Sequence, residues 1–430
     1  MEKIGKTVLV MKEIIKEHNI SLSEAGIPKK PIKKLINFLK EIKDVRETSK
    51  VAYPLYEIIL VAFLAIMAGA CTIADIADFA ELKRQWLKNN FFIKHGTPSH
   101  DTFRRVLSLI DPALLQAATV TFLLDNIKMM KRAFNIDEGT KQYCVDGKTA
   151  CGTGKLAGTE REVKQLQTLH VYDRTNDICI YSKAIDSKTN EIPAAQEVLR
   201  MLDLRGAIVS FDSMNTQIAT VAAVIDQKGD YVAALKGNQP TFFEEVRSYF
   251  TPSRLRQIEK NKNCYFEVKE KSHNRIEVRK YYLTKNVSWL LQVNTWKGLK
   301  SLIYYTLHTE DINTGKTTDE TYCYISSITD VEICADCVRG HWSVENLLHG
   351  HLDVTMSEDD LEIIDRNAFQ NFSLLNKMAL SLLKLIAPLL KKSVRRTRKC
   401  VGLESDILIK AFCMLDEELL TETLANVKTK

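Results

Sequence analysis

A chain of 430 residues, 45% of them hydrophobic and 27% charged, has the balance of a globular protein and is long for one hydrophobic core, so two or three domains are expected. The formal net charge of +6 is too modest to name a polyanionic partner, which leaves that question to where the basic residues fall. The most apolar run, residues 58–71, fits a buried helix better than a membrane span, and the N-terminal residues break each apolar run with Lys or Glu, unlike a signal peptide. Ten scattered cysteines in such a chain read as reduced thiols of a cytosolic protein.

Residues 1 to about 130 carry a helical period. LINFLKEIKDV, YEIILVAFLAIMAG, IADIADFAELKRQWLKN and DTFRRVLSLI each repeat apolar residues at i, i+3 and i+4. Pro98 and Ser99 mark a helix start, with Ser99 as N-cap, and that helix presents Arg104 and Arg105. Such short helices suit a helix-turn-helix reader of DNA or, equally, a helical bundle that enters no groove.

The period then changes. KQYCVDGKT, LQTLHVYDR, ICIYSKAI and AIVSFDS are short β-type runs closed by Asn, Asp, Gly or Ser, and helical patterns at 192–204 and 215–229 flank the fourth of them before DYVAAL. This order predicts an α/β fold, a mixed sheet flanked by helices. From 241 to about 330, one short helix and four further alternating runs predict a β-rich insertion with its own antiparallel sheet and a hairpin turn at Thr314 and Gly315.

Around residues 338–360, nothing between Asp336 and His351 forbids a helix except Gly340 and Gly350, and such a helix would stack His341, Glu345 and His349 on one face, with Trp342 beside His341. Cys334 and Cys337 have metal-ligand spacing but lack a second pair, so two buried thiols are the preferred reading. A long amphipathic helix follows at 368–386. The basic run KKSVRRTRK (391–399) reads as a solvated tail or a phosphate contact, and 401–430 as a helical tail.

Two aspartates, Asp146 and Asp212, fall at the ends of apolar strands, where open sheets place their sites. Either alone is an ordinary turn starter. Together with Glu345 they make three carboxylates, enough to hold two divalent cations about 3.5–4 Å apart for phosphoryl transfer. Oxygen ligands of this kind suit Mg²⁺ or Mn²⁺. Gly147-Lys148-Thr149 resembles the tail of a phosphate-binding loop, but Gln142 stands where its first glycine belongs.

The strings VDGKT (145–149), NEIPA (190–194), GAIVSFDSMNTQ (206–217), GDYVAALKGNQ (229–239), RIEVRKYY (275–282), YISSI (324–328) and RGHWSVENLLHGHLDVTMSED (339–359) resemble, in order, the H-repeat-associated, ISAs-type insertion-sequence transposases. HGTPSHDTFRRVLSLIDP (95–112) resembles their N-terminal domain, so the likeness spans about 53–386. The resemblance implies a DDE transposase: an RNase H-like domain over 131–400, with Asp146, Asp212 and Glu345 as catalytic residues holding two Mg²⁺ or Mn²⁺ ions. It further implies cleavage at transposon ends, strand transfer into target DNA, a cytoplasmic protein acting as a homodimer on DNA, and no membrane partner. Within the matched strings, Lys148, Lys236, Asn238, Arg339, His341, Trp342 and Asn346 are candidates for DNA or site support, beside Arg104 and Arg105. Ala150 and Cys151 replace the family's usual Leu-Arg, Gly350 its usual Trp, and Met356 its usual aromatic. Two other readings stand beside this one: a transposase-derived DNA-binding protein with an unused triad, and a metallohydrolase built on His341, Glu345 and His349.

Overall fold

In the computed structural model, which describes residues 6–17, 28–137, 139–154, 165–185, 191–272 and 274–428, each run with a β period forms a strand. Asn190, at the head of the NEIPA string, and residues 1–5 lie outside these limits. The strands are β1 (Lys141–Ala150), β2 (Leu166–Asp173), β3 (Ile178–Ile185), β4 (Ala207–Phe211), β5 (Asp230–Leu235), β6 (Tyr265–Ser272), β7 (Arg275–Thr284), β8 (Ser301–Asp311) and β9 (Thr317–Ser326). Among the described residues they form one sheet in the order β3-β2-β1-β4-β5-β9-β8-β7-β6. β2 runs antiparallel to both β1 and β3; β1, β4 and β5 run parallel, and β9 returns antiparallel on β5. This is a mixed α/β sheet of the kind expected for an RNase H-like core.

The pleat explains the layers. In β1 and β4, Val145 and Val209 face a core shared with Val198 and Val221 of the helices Glu191–Met201 and Ile218–Asp226. On the opposite face, Ile208 packs with Cys334, Cys337 and Val338 of the helix Val331–His341. Both thiols are fully buried, and burial pushes the Cys334 thiol up to about 12. Gly340 lets that helix press onto the sheet: a Cβ there would lie 2.3 Å from the Arg174 guanidinium and 2.4 Å from Gln142 Oε1.

The β-rich segment does not carry a separate sheet. Because β9 pairs with β5 over Val232–Leu235 and Cys323–Ser326, the four strands extend the core sheet and cover what would be an open edge. Gly315 occupies a left-handed turn between β8 and β9 at φ +65°, where Asp311 accepts the Thr314 amide at 2.9 Å.

The helices before β1 and those after the Glu345 segment share one apolar core. The helix Leu55–Met67 is buried along nearly its whole length against the helix Arg366–Ile386, which also packs on Pro112–Phe134, and the helices of the C-terminal residues join the same cluster. No single helix among the described residues is long and apolar enough to cross a membrane. Ser99 stands at the N-cap of the helix His100–Leu109, but its hydroxyl meets Thr102 Oγ1 at 3.3 Å and caps no backbone amide.

Candidate active site

Strand pairing brings the two aspartates together. The parallel register ends at Val145 opposite Phe211, so Asp146 and Asp212, each the next residue, emerge side by side. Asp146 does not start a turn, as its sequence context predicts; β1 continues to Ala150 because β2 goes on pairing with it, with Asp146 opposite His170. Only the β4 partnership stops there. Asp212 does start a turn, its Oδ1 accepting from the Asn215 backbone amide at 3.0 Å.

Asp146 Oδ1 accepts from the Gly147 amide at 2.9 Å, and Oδ2 lies 3.8 Å from His349 Nδ1. Burial, then the negative charge of Asp212, then that of Glu345, pushes the Asp146 carboxyl up to about 7. The charges of Asp212 and Glu345 therefore both reach Asp146. Glu345 is exposed and, among the described residues, its carboxylate makes no hydrogen bond or ion pair; as the side chains stand, no three acidic, histidine or cysteine residues among those described converge tightly enough to hold a metal ion.

The helix carrying Glu345 departs from the expected regular face. After the helix Val331–His341, residues Val344–His349 form a π-turn in which the Gly350 amide bonds to the Glu345 carbonyl, five residues back. A wider turn rotates residues four apart out of register, so the three side chains point apart. His341 Nδ1 meets Ser210 Oγ on β4 at 3.1 Å, His349 Nε2 meets His170 Nδ1 on β2 at 2.9 Å, and Glu345 faces outward. Burial takes the His341 imidazole down to about 4 and the His349 imidazole down to about 3.

The other candidates occupy four settings. Lys148 is 7% exposed and ion-paired at 2.7 Å with both Asp353 and Asp359, which ties the end of β1 to the segment after the Glu345 turn. Lys236 is exposed beyond β5, and Asn238 donates to the Ser213 carbonyl, bracing the turn after Asp212. Arg339, Trp342 and Asn346 line a cleft of about 440 Å³ together with Lys6, Lys12 and Arg174; Trp342 is 38% exposed, and Arg339 lies 3.6 Å from Glu270 of β6. Arg104 and Arg105 project from the helix His100–Leu109 of the helical part, Arg104 pairing with Asp101 at 2.8 Å.

Three residues at the site carry no role in the sequence reading. His170 faces Asp146 across the ladder. Glu191 and Asn215 are 4% and 0% exposed, and Asn215 Nδ2 donates to Glu191 Oε1 at 2.7 Å. Glu191 was visible only as a letter of NEIPA, with nothing to show that it meets the turn after β4.

Comparison with known proteins identifies the family. The family profile described as "Transposase DDE domain" matches residues 138–382, and one described as "DDE_Tnp_1-associated" matches 36–123. The H repeat-associated YhhI of Escherichia coli (strain K12) is 31% identical over 311 residues, covering 71% of this chain and 78% of its own. YncI of Escherichia coli O157:H7 is 30% identical over 342 residues, covering 78% and 81%. A piggyBac transposase synaptic complex aligns over 100% of this chain and 85% of its own at 11% identity, but its TM-score of 0.37 is too low to bear on the fold. By the family profile that spans both strand-end aspartates and Glu345, the chain belongs to the DDE-domain transposases.

Proposed function

We propose that the protein cuts DNA at the ends of its own element and joins those ends to target DNA by metal-dependent phosphoryl transfer. The observation that carries this reading is the end of the β1–β4 register at Val145 and Phe211, which sets Asp146 beside Asp212 within the field of Glu345. Carboxylates so placed repel one another, and Asp146 relieves the repulsion by keeping its proton up to about pH 7. Divalent cations relieve it with all three groups ionised, and an all-oxygen donor set suits Mg²⁺ or Mn²⁺. Asp146, Asp212 and Glu345 are thus the residues that would hold two such ions. When bound, the ions supply an activated water or 3′-hydroxyl and a neutralised leaving 3′-oxygen.

The chain's own residues position the DNA. Arg339, Trp342 and Asn346 would receive a strand in the cleft beside Glu345, with Lys236 meeting phosphate beyond Asp212. Arg104, Arg105 and the exposed cations of 391–399 would add salt-dependent affinity. Joining two ends in one event calls for two such sites, hence a homodimer on DNA, acting in the cytoplasm. The test is cleavage and strand transfer on element-end DNA with Mg²⁺. Asp146→Ala, Asp212→Ala and Glu345→Ala should each abolish both steps while leaving DNA binding intact; full activity in any of them sinks the assignment. A wild-type protein that binds this DNA without cutting it would be a transposase-derived DNA-binding protein instead.

A further inference from the structure

We propose that Glu191 and Asn215 are positioning residues that fix Asp212 and leave one of its oxygens open to a cation; the inference rests on the metal-dependent reading above. The Asn215 side-chain amide has two hydrogens to give. One goes to Glu191 Oε1 at 2.7 Å and the other to Asp212 Oδ1 at 3.2 Å. The Asn215 backbone amide also reaches Asp212 Oδ1, at 3.0 Å. That oxygen therefore has two donors, whereas Asp212 Oδ2 has none among the described residues.

The arrangement is costly, which separates it from ordinary packing. Two acidic neighbours force the Asn215 amide to point its nitrogen at both, and its Oδ1 is left buried without a hydrogen-bond partner. A buried acceptor with no donor destabilises by about 1–3 kcal/mol. A carboxylate in the first turn of a helix needs no such bridge, since the helix N-terminus already favours its charge.

Glu191 also reaches the other aspartate. A Cβ on Gly147 would lie 2.4 Å from Glu191 Oε2 and 2.7 Å from its carboxyl carbon, so the glycine after Asp146 leaves the space that Glu191 fills. One side chain thus abuts β1 beside Asp146 and holds the turn after β4 through Asn215. The spacing of the two aspartates depends on how far Glu191 extends.

The test separates reach from charge, and metal binding from chemistry. Ca²⁺ affinity is measured by calorimetry on the full-length chain without DNA, alongside the Mg²⁺ concentration for half-maximal single-turnover cleavage. Asn215→Leu removes the bridge, and Glu191→Asp keeps the charge but falls short of Asn215. Both should weaken Ca²⁺ binding and raise the Mg²⁺ requirement about 10–100-fold, as loss of a ligand's hydrogen-bond partner does. The cleavage rate at saturating Mg²⁺ should fall much less. Glu191→Gln keeps an oxygen at the right distance and should bind Ca²⁺ at least about tenfold more tightly than Glu191→Asp. Equal Ca²⁺ affinity in wild type and folded Glu191→Asp overturns the proposal, as does Glu191→Gln binding no better than Glu191→Asp. A wild type that binds Ca²⁺ but never cuts DNA overturns the transposition reading alone.

Discussion

Arg398 tests how the basic run near the C-terminus is used. It lies in the helix Val394–Leu403, is 6% exposed, and donates to the carbonyls of Ile66 at 3.0 Å, Ala70 at 2.8 Å and Thr355 at 2.6 Å. The first two carbonyls lie at and beyond the last turn of the helix Leu55–Met67, where backbone acceptors lack intrahelical donors and the dipole favours a cation. Replacing Arg398 with Met keeps most of the apolar stem and removes every donor. Hydrogen bonds from a charged group contribute about 1.5–3 kcal/mol each, and each buried carbonyl left without its donor costs about 1–3 kcal/mol, offset in part by relieving the desolvation of the guanidinium. Over three carbonyls that is a large share of a net stability of about 5–15 kcal/mol. Urea unfolding of Arg398→Met should therefore show a loss of about 4 kcal/mol, against about 0.5 kcal/mol or less for Arg395→Met, which is exposed on the same helix. A loss below about 1 kcal/mol for Arg398→Met would refute the docking role and return the residue to the DNA-facing set.

Among the remaining basic residues of that run, Arg395, Arg396 and Lys399 are exposed, and changing each to Gln should lower the slope of log affinity against log salt by about 0.9 if it meets a phosphate. The His341 imidazole, held down to about 4 chiefly by burial, binds its proton less readily in the folded chain than in the unfolded one. Stability is therefore lost as pH falls from about 6.5 to about 4, by about 3 kcal/mol for this residue. Asp146, raised to about 7, acts in the opposite sense over the same window, so the quantity to measure is the difference between wild type and His341→Gln, which should shrink toward low pH. Gly340→Ala should destabilise by about 1–3 kcal/mol, because its methyl group displaces the Arg174 guanidinium from Gln142 and Asp336; unchanged thermal unfolding would show that those side chains can shift at no cost.

The strands were legible because β-branched and aromatic runs alternate or close on Asp, Gly and Ser, and the two aspartates stood out by ending such runs. Their adjacency was not legible, since pairing Val145 with Phe211 is a matter of register between strands 66 residues apart. The π-turn was hidden for another reason: nothing between Ser343 and Gly350 forbids an ordinary helix, and the extra residue per turn shows only in the backbone bond from Gly350 to Glu345. Lys148 was read as a DNA or site contact and Arg398 as part of a solvated or phosphate-facing run, because charge in a sequence says nothing of the acceptors the fold gathers around it. Lys148 meets two aspartates more than 200 residues on, and Arg398 meets carbonyls over 300 residues back.

The junction between β5 and β9 bears on how such a chain is shortened or lengthened. β5 is short and apolar, with Tyr231, Val232, Ala233 and Leu235 all buried, and β9 satisfies its outer backbone groups. Excising residues 241–327 as a cassette would leave DYVAAL as a bare margin, with unpaired amides and carbonyls and no Lys or Pro to deter a second chain from zipping onto it. A minimal catalytic core made that way should polymerise through its margin long before it loses its internal order. The inserted strands thus serve as a solubility guard, whatever else they touch.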